Sequence, residues 1–521
     1  MKKFNVTGTC IPEKHYMVDI SDKLSQIIGM IENEEYFTIN RARQYGKTTT
    51  LYQIDRKLRG KYTVLRMSFE GAGENAFRSD EGFMRFFVKK VERELIFLEK
   101  PETLLREWSN LADYSGEQCD DALDYLSEKI TKLCRNDKQG IILLIDEVDK
   151  SSDNQIFLNF LGMLRNKYLF RQESRDTTFK SVVLAGVYDI KNLKLKLRPN
   201  DERRYNSPWN IASDFSVDMS FSSDEIASML REYEQDCHTG MDVNGMSRDI
   251  YFYTNGYPFL VSRICKWIDE EGGRIWTSEY VKNAVNALLQ MDSTLFDDLI
   301  KNVENYPELQ KMLRQILLEG SRFSFVATDS AIDLGCVFGI FVKREHCVAI
   351  SNVIFETYLY NHMLSKKSRD DTRLRVENSH FVQNGRLDMP QILLKFQEVM
   401  KAEYRKEDEK FTERQGRLLF LCFIKPIING TGHYYVEPET RNSTRMDVVI
   451  SYGGEEHIIE LKLWHGEKYR EEGIKQLERY LDYRSADKGY LVSFSFLQEK
   501  SYYSGWLPQE ESGRKIFEIQ V

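Results

Sequence analysis

The stretch that most constrains this chain is INRARQYGKTTTL, residues 39–51, which ends in Gly46-Lys47-Thr48-Thr49. The aromatic and β-branched segment YFTIN before it favours a short buried strand, and the apolar residues after it recur on one helical face. A turn between a strand and a helix presents backbone N–H groups to a phosphate. In that geometry Lys47 reaches the β- and γ-phosphates and Thr48 binds Mg²⁺.

The loop departs from the usual pattern at its start, because Arg41 stands where such loops have their first glycine. That glycine mainly eases the turn, whereas a side chain at position 46 would meet the phosphate. We therefore expect the loop to bind ATP. The expected contacts come from Arg43, Gln44, Tyr45, Gly46, Lys47, Thr48 and Thr49.

A second stretch, GIILLIDEVDK, is a continuous apolar run that ends in Asp146-Glu147. This pattern is typical of a buried parallel strand with carboxylates at its carboxyl end. Asp146 there would hold Mg²⁺ through water, and Glu147 would polarise the attacking water. A core strand followed by a polar loop gives the same pattern, but the two motifs together indicate ATP binding with Mg²⁺.

Three further segments have the apolar and β-branched composition of strands: YTVLRMSF (62–69), SVVLAGVYD (181–189) and DFSVDMSF (214–221). Strands that alternate with helical segments predict a parallel sheet with helices on both faces. The ligand crevice of such a sheet lies at the carboxyl ends of its strands, where both motifs fall. The fold class is therefore α/β.

Length and composition limit the number of domains and the classes of protein to which the chain can belong. A chain of 521 residues has room for three or four domains, and a net charge of −8 argues against a uniformly basic nucleic-acid-binding surface. Eight scattered cysteines indicate reduced thiols in a cytosolic protein. No signal-peptide pattern is visible and the apolar runs are too short to span a bilayer, so we expect a cytoplasmic protein without a membrane segment.

Six segments together resemble the bacterial AAA-ATPase-like family, near the STAND and origin-recognition branches of the AAA+ ATPases. The resemblance covers about residues 1–365. The segments are CIPEKHYMVDI, RARQYGKTTTL, LLIDEVD, LAGVYDIKNLKLKLRP, NSPWNIASDF and TNGYPFLVSRIC. It implies a P-loop ATPase core over 1–222 and a helical lid over 223–296 that covers the nucleotide.

The resemblance also implies residue roles. Tyr16 would lie near the adenine, Asp189 or its neighbours would take the sensor position, and Pro258 would belong to the lid motif, although GYP also fits an ordinary helix start. The candidates for an arginine finger are Arg198, Arg203 and Arg204. No single arginine is obviously placed to act within one chain, and ATPases of this branch complete or regulate their sites through neighbours. A homo-oligomer is therefore expected.

Residues 297–365 contain an amphipathic helix, a strand pair and a further helix, an order that suggests a winged helix, as the resemblance implies. Winged helices often bind DNA, but the helices here carry no basic cluster, which favours a structural role. Residues 366–380 are charged and poor in apolar side chains, which predicts a linker before a new domain at 381–521.

That last domain contains RMDVVISYGGEEHIIELKLW, two strands around a Gly-Gly turn. With a two-residue turn, Tyr452 faces Glu455, and Asp447 lies opposite Glu460 with Cβ atoms about 4.5–5.5 Å apart. Lys462 shares the face of Glu460. Such carboxylates can share a divalent cation, although a solvated charged hairpin has the same sequence, and a longer turn would shift the pairing.

Asp followed by Glu-x-Lys across a hairpin resembles the PD-(D/E)XK nuclease superfamily, whose fold is the restriction-endonuclease-like α/β domain. The resemblance implies that Asp447 and Glu460 hold Mg²⁺, or Mn²⁺, and that Lys462 acts on the attacking water. Gln476 and Tyr480 match the Gln-x-x-x-Tyr signature of the RecB-like branch. The resemblance also implies Glu413 as the acidic residue of the first core helix, and Glu437 or Glu439 as an accessory ligand.

The sequence therefore predicts an ATP-hydrolysing protein fused to a metal-dependent nuclease, with nucleic acid, preferably DNA, as the partner. The main alternative is an ATP-driven regulatory switch or scaffold whose nuclease-like domain binds nucleic acid without cleaving it. A third possibility is an ATPase that acts on a protein partner.

Overall fold

A computed structural model of the chain describes residues 2–111, 122–148, 155–187, 209–319, 321–370, 381–383, 386–403, 413–428, 432–435, 448–452, 455–464, 466–484, 486–495, 503–507 and 514–521. The chain forms two compact units, an N-terminal unit of Met1–Leu299 with Asp333–Val342, and a C-terminal unit of Ile300–Ile332 with Lys343–Val521. Among the described residues, no helix has the length and apolar character needed to cross a bilayer.

The N-terminal unit is built on a sheet of four described strands, β1 (Tyr36–Asn40), β2 (Thr63–Ser68), β3 (Ile141–Asp146) and β4 (Ser181–Gly186). Their order is β1-β4-β3-β2, and every pairing is parallel. All residues of β3 and β4 are buried, as expected for strands covered on both faces. The predicted α/β fold with a parallel sheet is confirmed.

Helices cover both faces of this sheet. One hydrophobic core lies against α1 (Ser21–Glu32) and α2 (Lys47–Leu58). The other lies against four helices. These are α3 (Asp80–Phe97), α4 (Glu102–Ser109), α5 (Ala122–Asn136) and α6 (Gln155–Gln172).

The predicted strand at 214–221 is wrong. The chain there meets the sheet at a single parallel bridge, between Ser213 and Phe37, and Phe215 stacks on Phe37 with ring centroids 5.8 Å apart. The side chain of Arg41 donates to the carbonyl of Val217 at 2.7 Å. Arg41 follows the last residue of β1, and its side chain takes the carbonyl of Val217, an acceptor that a neighbouring strand would otherwise have used.

A helical region follows, as predicted. It contains α7 (Ser223–Cys237), α8 (Val243–Thr254), α9 (Pro258–Glu270), α10 (Ser278–Gln290) and α11 (Thr294–Asn305). The first of these begins at a capping box formed by Ser222 and Glu225. The predicted lid boundary at residue 296 falls inside α11.

The next segment contains α12 (Pro307–Arg314), a π-helical turn (Gln315–Glu319), α13 (Ser330–Val337), β5 (Phe341–Arg344), β6 (Cys347–Ile350) and α14 (Val353–Asp370). A strand pair followed by a helix matches the sequence pattern. The helix α14 continues through residues 366–370, which the sequence assigned to a linker, while 371–380 lie outside the described residues.

The rest of the C-terminal unit contains β7 (Val382–Gln383), β8 (Arg386–Leu387), α15 (Met389–Glu403), α16 (Glu413–Ile428), β9 (Gly432–Tyr435), β10 (Val448–Tyr452), β11 (Glu455–Leu463), α17 (Glu467–Arg484), β12 (Lys488–Phe494), β13 (Ser504–Trp506) and β14 (Lys515–Gln520). Six described strands form a mixed sheet in the order β13-β14-β12-β11-β10-β9. The strands β9, β10 and β11 are antiparallel, whereas β11, β12 and β14 run parallel. One core packs α15 and α16 on this sheet, and a second packs α17 on it.

A buried histidine gives the C-terminal unit a predicted pH response. His457 on β11 is 7% exposed, and its Nε2 has no hydrogen-bond partner among the described residues. Burial lowers the pKa of His457, against the opposing charge of Glu455 and with the added effect of Lys488. As the pH falls, the imidazole of His457 therefore takes up a proton in the unfolded chain before it does so in the folded protein. The contribution of neutral His457 to stability is complete above about pH 6.5 and is lost as the pH falls below that value.

We expect the free energy of unfolding to fall between pH 7.5 and 5.5, with a slope of at most about 1.4 kcal/mol per pH unit from this group. His457→Leu should leave the free energy of unfolding at pH 7.5 unchanged or raise it, because the substitution removes a buried polar atom. Between pH 7.5 and 5.5 the free energy of unfolding of this variant should fall less than that of the wild type. Urea unfolding of both proteins at both pH values measures the difference. Equal losses in the two proteins would contradict it.

Candidate functional site

The predicted phosphate-binding loop joins β1 to α2. Gly46 is the N-cap of α2 and has φ +80°, a left-handed conformation that glycine adopts without strain. A Cβ built there meets no atom within 4 Å. The requirement for glycine at position 46 that the protein itself imposes is thus conformational.

Lys47 lies in the first turn of α2 and is buried, with 7% of its surface exposed. Its Nζ donates to the carbonyls of Arg41 and Ala42, both at 2.9 Å. The ammonium group is therefore held inside the loop, in the region where a bound phosphate would take over its hydrogen bonds.

The two ATPase motifs meet through one short hydrogen bond. The Oγ1 of Thr48 donates to Oδ2 of Asp146 at 2.6 Å, although 98 residues separate them. The other oxygen, Oδ1, accepts the N–H of Glu147 at 2.9 Å. A hydroxyl and a carboxylate side by side are oxygen ligands that Mg²⁺ prefers, so these residues fit the predicted metal.

Glu147 adopts an unusual backbone conformation, with φ +55°. Such a non-glycine residue carries strain, and strained residues cluster at active sites. Its side chain is half-buried, directly after β3. Glu147, the predicted water-polarising residue, thus follows Asp146 directly and is bonded to its carboxylate through the backbone N–H.

The N-terminal segment lies beside the loop helix. The Oγ1 of Thr49 accepts the N–H of Cys10 at 3.1 Å. Tyr16 is 3% exposed, with ring centroids 5.1 Å from Phe4 and 5.2 Å from Tyr233. Its hydroxyl donates to Asp236 at 3.0 Å. Burial and this carboxylate raise the pKa of Tyr16, so it remains a neutral donor. The role of Tyr16 near adenine stays a prediction.

The lid motif GYP contacts the loop through its middle residue. Gly256 has φ +72°, and a Cβ there would lie 1.9 Å from the carbonyl oxygen of Phe221. Pro258 is the first residue of α9, as in an ordinary helix start. Between them, the hydroxyl of Tyr257 donates to the carbonyl of Arg43, and its ring lies 4.7 Å from that of Tyr45. Sequence reasoning missed Tyr257, although its position in the motif was a signal.

In the C-terminal unit, the hairpin register agrees with the prediction from the Gly-Gly turn. Tyr452 pairs with Glu455 and Val448 with Ile459, so the predicted pairing of Tyr452 and Glu455 is confirmed. Asp447 lies outside the described residues, as do Glu437 and Glu439 and the side chain of Glu413. The described hairpin therefore supplies one of the two predicted metal carboxylates.

Glu460 is fully buried, and Nζ of Lys462 lies 2.9 Å from its Oε1. The helix α17 lies directly against the lysine, because a Cβ at Gly473 would come within 3.2 Å of Lys462 Cγ. On the same helix, Nε2 of Gln476 donates to the hydroxyl of Tyr480 at 2.7 Å. Within the part of the chain that the structure describes, no cluster of three or more His, Cys, Asp or Glu side chains is placed to hold a metal.

A second buried ion pair on this face was missed from the sequence. Glu518 on β14 is 2% exposed and accepts hydrogen bonds from Nε of Arg470 at 2.9 Å and from Nη2 at 2.8 Å. The register aligns Glu460 with Leu491 and Leu491 with Glu518, so both carboxylates lie on the α17 face. The Glu518 carboxylate raises the pKa of Arg470 and ties α17 to β14.

Comparison with protein families decides the assignment of the larger part of the chain. A family model described as an AAA-like domain matches residues 23–361, well over half of the sequence. The chain belongs to the AAA-like domain family. Its loop, Asp146 and Glu147 all lie within the match, and the chain is an ATPase-like protein.

Solved structures similar to this AAA-like protein are distant in sequence. A Walker-type ATPase of Pyrococcus abyssi has 13% identity and a TM-score of 0.47, covering 68% of this chain and 99% of its own. The Aeropyrum pernix ORC2 protein with ADPNP and ADP has 11% identity and a TM-score of 0.34, covering 69% and 96%. The Aeropyrum pernix ORC1 protein in complex with DNA has 10% identity and a TM-score of 0.30, covering 67% and 94%. No curated protein sequence matches the chain significantly.

Some predicted residues of the AAA-like protein lie outside the described residues. These are the sensor candidate Asp189 and the finger candidates Arg198, Arg203 and Arg204. The family match ends at residue 361, so Glu460, Lys462 and Gln476 lie beyond it.

Proposed function

We propose that this AAA-like protein binds and hydrolyses ATP with Mg²⁺ and that its C-terminal domain is a metal-dependent nuclease. The observation that carries the first part is the hydrogen bond between Thr48 and Asp146, which joins both ATPase motifs at one point. Lys47 is also buried in this loop. Its ammonium group donates to two backbone carbonyls, and the oxygens of a bound phosphate would replace these as acceptors.

Each residue of the ATP site has a separate task in this proposal. Lys47 holds the β- and γ-phosphates, and Thr48 with Asp146 holds Mg²⁺, which neutralises developing charge. Glu147 polarises the water that attacks the γ-phosphate, so its carboxylate acts on the chemical step more than on binding.

Glu147→Gln should therefore slow ATP hydrolysis by roughly 10²–10⁴-fold, the usual effect of losing a general base. ATP affinity should change little, because the amide has the shape of the carboxylate. The matched control is Glu279→Gln, the same chemical change on an exposed residue of α10. Phosphate release and calorimetric ATP binding measure both effects. Hydrolysis at the wild-type rate in Glu147→Gln would remove this residue from the mechanism.

Three observations support the nuclease part. Glu460 is a fully buried carboxylate, Lys462 lies beside it, and Gln476 with Tyr480 lies on the adjoining helix. A buried carboxylate needs a cation, and the oxygen chemistry of Glu460, with Asp447 as the predicted second ligand, suits Mg²⁺ or Mn²⁺. The cation would neutralise charge on the cleaved phosphodiester, while Lys462 would orient water and stabilise negative charge.

A second candidate function follows from the same ion pair. Lys462 lies 2.9 Å from Glu460 and can balance the charge of this carboxylate by itself, so the domain could bind nucleic acid without holding the metal that cleavage needs. ATP would then drive a regulatory switch. Incubating the whole protein with labelled single-stranded DNA, double-stranded DNA and RNA, with and without ATP and Mg²⁺ or Mn²⁺, separates the two. Cleavage, expected on DNA, supports the nuclease; binding without cleavage supports the switch.

We also propose that the protein works as a homo-oligomer, because no described arginine is obviously placed to complete the ATP site within one chain. The finger candidates identified from the sequence, Arg198, Arg203 and Arg204, fall outside the described residues. Light scattering at micromolar protein with ATP measures the mass. A monomer that still hydrolyses ATP would contradict the proposal.

A further inference from the structure

Two exposed tyrosines of the C-terminal unit belong to neither of the sites described above. Tyr469, in the first turn of α17, is 50% exposed, and Tyr503, directly before β13, is 44% exposed. A single exposed aromatic side chain is ordinary in a folded protein. The position of these two relative to Glu460 and Lys462 is what gives them a use.

Tyr503 lies on the face of the sheet that carries Glu460 and Lys462. Gly505 pairs with Glu518, which faces α17, and Tyr503 is two residues from Gly505, so it has the same face. A Cβ at Gly505 would lie 3.3 Å from the hydroxyl of Tyr503. The tyrosine side chain therefore extends along β13 over the glycine, in room that a side chain at position 505 would fill.

The backbone at Tyr503 is held by two hydrogen bonds to its carbonyl. One comes from the N–H of Gln520 at 2.8 Å, which continues the ladder between β13 and β14. The other comes from Nε2 of Gln397 at 2.9 Å, and this nitrogen also donates to the carbonyl of Gln520 at 2.7 Å. Gln397 is 4% exposed. The ring is thus attached to a fixed part of the sheet, so packing a ligand against it costs little ordering of the protein.

The register places Tyr503 in one row with the predicted catalytic lysine. Lys462 pairs with Ser493 and Ser493 pairs with Gln520, whose N–H reaches the carbonyl of Tyr503. Three strand spacings, about 14 Å in all, therefore separate Lys462 from Tyr503. One bound strand of nucleic acid could extend from the lysine to the tyrosine.

Tyr469 reaches the same region through its neighbour in the chain. Arg470 donates to Glu518 at 2.9 and 2.8 Å, which fixes the first turn of α17 beside β14. Tyr469 precedes Arg470, and Tyr503 lies over Gly505, opposite Glu518. Both tyrosines are therefore beside this one ion pair.

The charges around the two rings have both signs. Exposed side chains in the first two turns of α17 are three carboxylates and one ammonium group, those of Glu467, Glu471, Glu472 and Lys468. Binding to a phosphate backbone requires clustered cations, which this surface does not offer. What it offers to a nucleic acid is aromatic area. The bases of a duplex are paired and stacked on one another, whereas those of a single strand can stack on aromatic rings.

We propose that Tyr503, with Tyr469 beside it, is a stacking platform on which the C-terminal domain holds an unpaired base of single-stranded nucleic acid, in one row with Lys462. This inference rests on the proposed binding of nucleic acid by this domain. It adds the class of substrate, single strand over duplex, and two residues that contact it.

The test compares three variants at β13 in the full chain. Tyr503→Leu removes the aromatic ring and Tyr503→Phe retains it. Trp506→Leu removes an equally exposed ring from the opposite face of the same strand, where Trp506 packs on Phe517. Binding of labelled oligothymidine is measured by fluorescence anisotropy in EDTA, so that metal-dependent cleavage does not occur, and circular dichroism checks that each variant is folded.

Tyr503→Leu should weaken binding of the single strand by about 5-fold or more, the lower end of the effect of losing one base–aromatic stack. Tyr503→Phe should recover most of the affinity, and Trp506→Leu should bind like the wild type. The wild type should bind the single strand more tightly than a duplex of the same length. An oligouridine strand distinguishes RNA from DNA, and a loss in Tyr503→Leu with either strand supports the platform.

Three results overturn the platform: wild-type affinity in Tyr503→Leu, an equal loss in Trp506→Leu, or tighter binding of the duplex than of the single strand. Cleavage with Mn²⁺ is measured separately. If the wild type cleaves DNA and Tyr503→Leu binds it equally well, the platform is wrong and the nuclease stands. If single strands bind through Tyr503 and nothing is cleaved, the nuclease is wrong and the platform stands.

Discussion

Lys47→Ala should abolish measurable ATP binding. The side chain is buried inside the loop, and no other described side chain donates to the carbonyls of both Arg41 and Ala42. Truncating one member of a buried charged contact costs about 2–5 kcal/mol, which corresponds to roughly 30-fold to several thousand-fold in affinity. Calorimetric titration with ATP and Mg²⁺ measures this loss directly.

The matched control is Lys57→Ala, which removes an exposed lysine from the same helix. It should bind ATP like the wild type and unfold at nearly the same temperature. Lys47→Ala must also remain folded, which circular dichroism checks. Equal ATP affinity in the wild type and the folded Lys47→Ala protein would refute the assignment of residues 41–48 as the phosphate-binding loop.

Glu460→Gln should remove nearly all cleavage of nucleic acid. The change keeps the shape of the side chain but takes away the charge that would hold a divalent cation. Lys462→Ala should slow cleavage by roughly 10²–10³-fold, the usual cost of losing one electrostatic contact to the transition state, while substrate binding is largely retained. Cleavage of labelled DNA with Mn²⁺ and ATP, alongside filter binding, separates the two effects.

The control for this strand is Glu455→Gln, a change at the half-buried start of β11, where the carboxylate lies 3.3 Å from Nε of Arg386. It should cleave at the wild-type rate. ATP binding should be unaffected in all three variants. If Glu460→Gln and the wild type cleave equally well, Glu460 is not part of the active site; if the wild type cleaves no substrate, the domain is not a nuclease under these conditions.

The sequence predicted those parts of the fold whose signals are local. The strand, loop and helix around Gly46 follow from an apolar run, a glycine and helical periodicity within a short stretch. The register of β10 and β11 follows from the Gly-Gly turn, since a turn length fixes every later pair. The Thr48–Asp146 contact was also predictable, because carboxyl ends of parallel strands meet at one edge of the sheet.

The missed features depend on long-range contacts that no local pattern records. The 214–221 segment has strand composition, but Arg41 takes the carbonyl of Val217 and the ladder does not form. The Arg470–Glu518 pair joins residues 48 positions apart on a helix and a strand. Arg43 and Asp298 are 255 positions apart, so their contact could not be foreseen from either neighbourhood.

Two glycines of the N-terminal unit have different freedom to change over evolutionary time. Both Gly46 and Gly256 have left-handed backbones, at φ +80° and +72°. Asparagine tolerates that conformation better than other residues with a side chain. A Cβ at position 46 would have open space around it, whereas a Cβ at position 256 would lie 1.9 Å from the carbonyl oxygen of Phe221. A lineage that lost the need for nucleotide could therefore change to asparagine at 46 and still fold, whereas glycine at 256 would be retained, because the start of α9 packs against Phe221 whether or not a nucleotide binds.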